Sequence, residues 1–253
     1  MQIQKIALVT GGSRGLGKNM ALALAKKGID VILTYQSKKT EADEVVSSIE
    51  LLGRKAIALQ FDAGNVKSFD GFIAKVKEVL KEKWERSQFD FLINNAGIGI
   101  NVPFADTTED QFDLLNAIQF KGVYFLTQQA LPILADQGRI INLATGLTRF
   151  TLPGYSAYAA MKGAIEIFTK YLAKELGPRK IAANVVAPGA IETDFGGGVV
   201  RDNEQMNAII ASNTALGRVG LPDDIGGVIA FLCSEEGRWI NGQRIEVSGG
   251  QFI

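Results

Sequence analysis

Tyr158 and Lys162 are the residues whose types and spacing point most directly to chemistry. They lie in Tyr155-Ser156-Ala157-Tyr158-Ala159-Ala160-Met161-Lys162, at the head of a run in which Met161, Ile165, Phe168 and Leu172 recur at helical spacing. The run ends at Leu176, before the helix-stop signal Gly177-Pro178. Side chains four apart on a helix share a face, so a phenol and an ammonium stand together. Tyr155 has Ala159 at the matching position and lacks such a partner. A free phenol titrates near about 10. A cation at about 4 Å is worth up to roughly 4 kcal/mol at an effective dielectric of about 20. At about 1.4 kcal/mol per unit, Lys162 is expected to bring the phenol down by one to a few units. Tyr158 would then serve as a general acid/base. The chain has no histidine, so any such work falls to another group. By itself a Tyr-x-x-x-Lys spacing also occurs on ordinary helices, and the rest of the chain must decide.

The bulk numbers set the frame. There are 253 residues, with zero formal net charge and 47% hydrophobic content. That suits one compact α/β domain over residues 1–253. No basic excess calls for a nucleic-acid partner or an anionic membrane. No apolar run is long enough to span a bilayer. Met1–Lys5 lead straight into a strand-like segment, so no signal peptide is expected and the cytoplasm is the default location. Cys233 is the only cysteine, which excludes an internal disulfide and a cysteine-cluster metal site. Without histidine, a zinc enzyme and a Ser-His-Asp hydrolase are also set aside, and no metal is expected.

The elements that must position the pair are read in order. Ile6–Val9 is an apolar run suited to a buried parallel strand. Thr10-Gly11-Gly12-Ser13-Arg14-Gly15-Leu16-Gly17 follows, then a helix to Lys27 with Gly28 as its cap. Strand, glycine loop and helix together make a phosphate site, where backbone approaches closely and a helix N-terminus offers free N–H groups. The second strand, Val31–Tyr35, ends in Tyr35-Gln36-Ser37-Lys38-Lys39, with no carboxylate before Glu41. An acidic residue at this place would favour NAD. Here Arg14, Ser37 and Lys38 are placed to meet a 2′-phosphate, so NADP(H) is preferred and NAD(H) is the alternative. A helix from about Thr40 to Leu52 leads to a strand Ala56–Phe61, followed by Asp62-Ala63. Asp62 either accepts a bond from an adenine amine or caps the next helix, which runs to about Lys81. The fourth strand, Phe89–Ile93, ends in Asn94-Asn95-Ala96-Gly97, at the crevice where such sheets bind ligands. Thr108 with Gln111 reads as a capping box for a long helix running towards Ala135. Ile140–Leu143 is the fifth strand, with Thr145 just beyond it. Ala183–Val186 is the sixth, leading to Pro188-Gly189-Ala190-Ile191-Glu192-Thr193. Residues 194–220 read as a lid, with a short helix around Glu204–Ile210. Pro222–Cys233 is a last helix and Arg244–Val247 a last strand. Alternating strands and helices predict a doubly wound parallel sheet covered on both faces.

In this order, Thr10-Gly11-x-x-x-Gly15-x-Gly17, Asn94-Asn95-Ala96-Gly97, Tyr158-x-x-x-Lys162, Pro188-Gly189 and Asn241-Gly242…Ser248-Gly249-Gly250 span nearly the whole chain. With these marks the sequence resembles the short-chain dehydrogenase/reductases, and more closely their 3-oxoacyl-(acyl-carrier-protein) reductase-like branch. The resemblance implies a Rossmann-type sheet of seven strands and hydride transfer between a nicotinamide and a carbonyl or alcohol. It implies that Tyr158 protonates the carbonyl oxygen while Lys162 lowers its pKa and holds the nicotinamide ribose. Asn95, with Ala96 and Gly97, would line the cofactor crevice, and Ile191 and Thr193 would contact the nicotinamide end. Homotetramers are common in the family. Two positions depart from its pattern. Thr145 stands where a serine is usual; it keeps the hydroxyl but adds a methyl that stiffens the rotamer. Gln119 stands where an asparagine supports a water relay to the lysine, partly through its backbone carbonyl.

Three functions follow from these readings. The leading one is an NADPH-dependent reductase acting on a 3-oxoacyl-type or other small ketone. A second is an NAD-dependent alcohol, sugar or steroid dehydrogenase. A third, prompted by Thr145 and Gln119, is a nucleotide-binding sensor with impaired catalysis.

Overall fold

The computed structural model describes residues 4–253; the first part of the expected Met1–Lys5 lead-in lies outside the described residues. Seven strands form one parallel sheet: β1 (Ile6–Val9), β2 (Asp30–Tyr35), β3 (Ala56–Gln60), β4 (Phe89–Asn94), β5 (Leu134–Leu143), β6 (Ala182–Pro188) and β7 (Arg244–Val247). Their order is β3-β2-β1-β4-β5-β6-β7. The chain leaves β1 in one direction and returns beside it as β4, so a crevice opens at the carboxyl ends of those two strands.

Both faces are covered, as the continuous apolar strands require. On one face lie α1 (Gly15–Lys26), α2 (Lys39–Leu51) and, late in the chain, α9 (Asp223–Leu232). On the other lie α3 (Phe69–Trp84), α5 (Gly122–Ala130) and α6 (Ser156–Glu175). All four residues of β1 are fully buried, which anchors the glycine loop behind it. Three further helices complete the chain. The helix α4 (Glu109–Asn116) opens on the expected Thr108–Gln111 capping box, and α7 (Val199–Asp202) and α8 (Glu204–Ser212) lie in the segment read as a lid.

The long helix read from Thr108 towards Ala135 is corrected in two ways. Between α4 and α5 the chain makes a π-helical turn at Ala117–Lys121, and the helix ends at Ala130, just before Pro132. Pro132 cannot donate into a continuing helix. The strand β5 is entered six residues early, with Leu134 opposite Phe89. An irregularity with Gln137 at φ 63° then restores the register at Arg139 opposite Phe91.

The strands nearest the site are tied by a buried amide ladder. The Asn94 side-chain amide donates to Asn142 at 2.8 Å and to Thr127 at 3.0 Å, and Asn142 donates to Thr169 on α6 at 2.8 Å. These buried bonds hold β4, β5 and α6 in one arrangement, although the Asn94 side-chain oxygen itself has no partner among the described residues.

Candidate active site

The glycine loop is shaped by close backbone approach. A Cβ at Gly17 would lie 2.0 Å from the Gly11 carbonyl oxygen, and Gly11 itself sits at φ 65°. The Asn95 side chain donates to the Thr10 and Gly11 carbonyls at 2.9 and 3.1 Å, and the Thr10 hydroxyl accepts from the Asn95 and Ala96 amides. Asn95 therefore lines the crevice by pinning the loop, with Ala96 and Gly97 continuing the floor. The first turn of α1 has neither a side-chain cap nor an acidic residue. Its N–H groups are left for an anion. Ser13 is buried beneath the loop, while Gly15 and Leu16 reach its partly open side. This cradle fits the pyrophosphate of a dinucleotide.

Of the residues read as a 2′-phosphate site, Arg14 is in the loop itself, and Ser37 and Lys38 follow β2, whose Thr34 carbonyl accepts from the Gly12 amide at 2.8 Å. Arg14 is exposed and meets Asp194 at 3.4 Å; Lys38 meets Glu41 at 3.8 Å. Exposed pairs at such distances contribute little, so both cations are available to a phosphate. Tyr35, Gln36 and Ser37 end β2, tied to β3 by the Phe61 amide donating to the Tyr35 carbonyl and the Gln60 side chain to the Gln36 carbonyl. Gln36 and Asp62 line one open cleft of about 450 Å³. Asp62 does not cap a helix, contrary to one sequence expectation. Its carboxylate accepts from the Gly64 amide at 2.9 Å, and α3 begins only at Phe69. Ala63 follows it, with its carbonyl against Gly122.

The candidate catalytic residues sit beyond the carboxyl end of β5, where Lys162 reaches the Leu143 carbonyl. Tyr158 and Lys162 are buried, 6% and 5% exposed. The Lys162 ammonium lies 5.9 Å from the centre of the Tyr158 ring and donates to the Leu143 carbonyl at 2.8 Å. The Tyr158 phenol neighbours the Thr145 side chain, whose hydroxyl pulls the phenol's pKa down. Thr145 is held just past β5, where its hydroxyl accepts from the Leu147 amide at 3.3 Å. So a resemblance-based residue, Thr145, joins the two residues found by spacing.

One expectation about this pair is overturned. The phenol in this chain is not brought down; burial pushes it up, with the Thr145 hydroxyl pulling the other way. Burial also pushes Lys162 down to about 7, because the ammonium loses the solvent that would stabilise its charge. The Coulomb argument from sequence took Lys162 as fully charged and left out the desolvation that both groups suffer.

Gln119 lies in the π-helical turn and is fully buried. Its side-chain nitrogen donates to the Ile98 carbonyl, and its side-chain oxygen has no partner among the described residues. The side chain thus braces the Gly97–Gly99 loop and makes no bond to Lys162. On the far side, the Gly189 amide donates to Val247 and the Ala190 amide to the Gln251 side chain. Pro188 ends β6, Ile191 bridges to Gly220, and a Cβ at Gly15 would lie 3.6 Å from the Thr193 side chain.

Three residues escaped the sequence reading. The Phe195 ring packs on Tyr158 at 5.9 Å between centres. Glu166 and Arg244 pair at 2.7 Å beside Thr145. Glu166 had one signal, its place a turn beyond Lys162 on the same helix face; Phe195 had only its place in the segment read as a lid, and Arg244 had none.

Known proteins carry the same architecture. The family described as Enoyl-(Acyl carrier protein) reductase matches residues 11–251. Versicolorin reductase 1 of Dothistroma septosporum is 35% identical over 258 residues, covering 98% of this chain and 96% of that protein. The promiscuous reductase LugOII, which catalyses keto-reduction at C1 during lugdunomycin biosynthesis, superposes with a TM-score of 0.94 at 36% identity, covering all of both chains. The landomycin C-6 ketoreductase LanV, solved with bound NADP and rabelomycin, superposes with a TM-score of 0.89 at 35% identity over 98% of this chain and 96% of that one. The chain belongs to the short-chain dehydrogenase/reductase family, in its acyl-carrier-protein-reductase-like branch, and is an NADP(H)-dependent oxidoreductase acting on carbonyl and alcohol groups.

Proposed function

We propose that the protein reduces a ketone, with Tyr158 as the acid that protonates the carbonyl oxygen. The observation that carries this is the buried Tyr158–Thr145–Lys162 cluster beside the glycine-loop crevice. Burial keeps the phenol protonated, and a protonated donor is what the reducing direction requires. The Thr145 hydroxyl would hold the carbonyl oxygen beside the phenol, and Lys162 would hold the nicotinamide ribose. Gln119 would act through its backbone in the π-helical turn, because its side chain is committed to Ile98. NADPH, when bound, supplies the hydride. Gly11, Ser13, Gly15, Leu16 and Gly17 would hold its pyrophosphate, with Arg14, Ser37 and Lys38 on the 2′-phosphate. Pro188, Gly189, Ile191 and Thr193 would face its nicotinamide end. Incubating the protein with NADPH and a panel of cyclic and acyclic ketones, and following loss of NADPH absorbance, tests the reading. Turnover of any one ketone ends the sensor alternative; silence across the whole panel ends the reductase.

The cofactor choice has its own test. Arg14→Gln with Lys38→Glu is expected to reduce the preference for NADPH over NADH by about 10- to 100-fold, the worth of losing charge-assisted bonds to a phosphate. Competitive titration of the two reduced cofactors measures it. An unchanged ratio would refute the 2′-phosphate site.

Residues 194–220 are proposed as a lid. Gly196, Gly197 and Gly198 follow Phe195 at φ 64°, 79° and 78°, a backbone that other residues seldom adopt. Phe195 stands over the acid at the head of this turn. Phe195→Ala is expected to raise KM for an apolar ketone about five- to tenfold and to leave kcat within about threefold, since an aromatic contact of this size acts on binding. A loss confined to kcat would rule the lid contact out.

Exposed apolar side chains support a homotetramer: Phe112, Leu114, Tyr124, Ile167 and Tyr171 on α4, α5 and α6, and Phe231, Trp239, Phe252 and Ile253 later in the chain. Sedimentation equilibrium gives the mass directly. Among the described residues no helix is long and apolar enough to cross a membrane, and the lone buried Cys233 fits a cytoplasmic residence.

A further inference from the structure

We propose that Arg244, supported by Glu166, is a positioning residue for the reaction: its guanidinium holds the Thr145 carbonyl and so fixes the direction of the Thr145 hydroxyl towards Tyr158. The starting point is a stripe on α6. Tyr158, Lys162 and Glu166 follow one another at four-residue steps, and the mechanism above uses only the first two. The Glu166 side chain is largely covered and takes a bond from the Arg244 side chain at 2.7 Å. Arg244 stands on the edge strand β7, and its other nitrogens donate to Glu246 at 2.8 Å and to the Thr145 carbonyl at 3.1 Å.

Counting donors assigns the last bond its weight. The Thr148 hydroxyl lies 2.5 Å from Glu166 and 2.9 Å from the Thr145 carbonyl. A hydroxyl has one proton to give, and the charged carboxylate takes it in preference to a neutral carbonyl. The Thr148 amide reaches the Thr145 carbonyl only at 3.5 Å. Arg244 is therefore the principal donor to that carbonyl. Its own place is set from two sides, by Glu166 on the catalytic helix and by Glu246, which Arg149 also grips at 2.6 Å. Arg149 further donates to the carbonyls of Gln251 and Phe252. The orientation of Thr145 is thus set by a chain of charges that ends at the C-terminal residues.

The proposal rests on Thr145 acting at the phenol, so its test is a cycle between the two positions. Wild type, Thr145→Ala, Arg244→Met and the double variant are assayed with NADPH and one ketone that the wild type reduces. NADPH affinity and melting midpoint are measured alongside. Arg244→Met is expected to lower kcat by about 10- to 100-fold, the effect of misplacing a group at the chemistry, with NADPH affinity unchanged. In the Thr145→Ala background it is expected to cost nothing further. Arg244→Lys, which keeps a charge but cannot make three bonds at once, is expected to fall between, and it serves as the working variant if Arg244→Met does not fold. A kcat loss of equal size in both backgrounds overturns the positioning role, as does a loss that tracks melting midpoint or NADPH affinity, which marks Arg244 as a staple of β7. An unchanged kcat in Thr145→Ala alone sinks the role of Thr145 itself, and the proposal with it.

Discussion

Tyr158→Phe is expected to lower kcat for ketone reduction by about 10³-fold, within the range general acids supply, while NADPH binds as before. The substitution removes one oxygen and leaves the ring in place. That ring packs with Tyr155 and Phe195, at 6.3 and 5.9 Å between centres. Thr145 loses a polar neighbour but still accepts from the Leu147 amide, so no buried group is orphaned and the melting midpoint should hold. The loss is therefore chemical and falls on kcat. Direction matters as well. With burial pushing the phenol up, the acid form persists through neutral and mildly alkaline pH, and reduction draws on it directly. Alcohol oxidation needs the phenolate and should climb as pH rises. Steady-state rates in both directions across pH, for wild type and variant, separate these effects. A Tyr158→Phe enzyme within tenfold of wild type would remove the acid from the mechanism.

The parts of this protein that a sequence can express were those that repeat or sit together along the chain. The glycine loop follows its strand directly, and Tyr158 and Lys162 share one helix face, so sheet, crevice and acid were all open to reading. Features built from distant segments were not. Arg244 reaches Thr145 across 99 positions and Arg149 reaches Glu246 across 97, and no local pattern signals either. The π-helical turn at Ala117–Lys121 lies inside a helical stretch, and none of the residues Ala117-Ile118-Gln119-Phe120-Lys121 is of a type that marks the change of hydrogen-bond step. The strand β5 begins in a stretch, Leu134–Gly138, whose polar centre reads as loop until Phe89 is seen opposite it. The phenol failed for a different reason. Spacing gives the distance between two groups but not their exposure, and at this site exposure sets the sign.

Lys162→Met is expected to stabilise the protein at neutral pH while collapsing its turnover. Burial pushes the folded lysine down to about 7 from its ordinary value of 10.5. Below about pH 7 both folded and unfolded chains hold the proton, and the fold bears the full cost of burying the charge. Between about 7 and 10.5 the unfolded chain holds a proton that the folded chain has released, so stability rises with pH through that window; above it the penalty is gone. The depression corresponds to a cost of the order of 4 kcal/mol at pH 7. Methionine removes that cost. It leaves the Leu143 carbonyl without the bond it accepts at 2.8 Å, a loss of about 1–3 kcal/mol, so the balance still favours the variant. Turnover moves the other way. No other cation lies against the Tyr158 ring among the described residues, and an ammonium at such range is worth about 10²-fold or more to a developing phenolate. The discriminating measurement is the melting midpoint of both proteins at neutral pH and near pH 10. The variant should be the more stable at the first and the less stable at the second, where the burial cost has gone and the lost bond to the Leu143 carbonyl remains. A variant less stable than wild type by the same margin at both would show Lys162 to be an ordinary charged residue with a satisfied partner. A gain in stability with turnover intact would instead take it out of the chemistry. The predicted combination, stability gained and activity lost at one buried position, is the mark of a group the fold holds at a cost for the sake of the reaction.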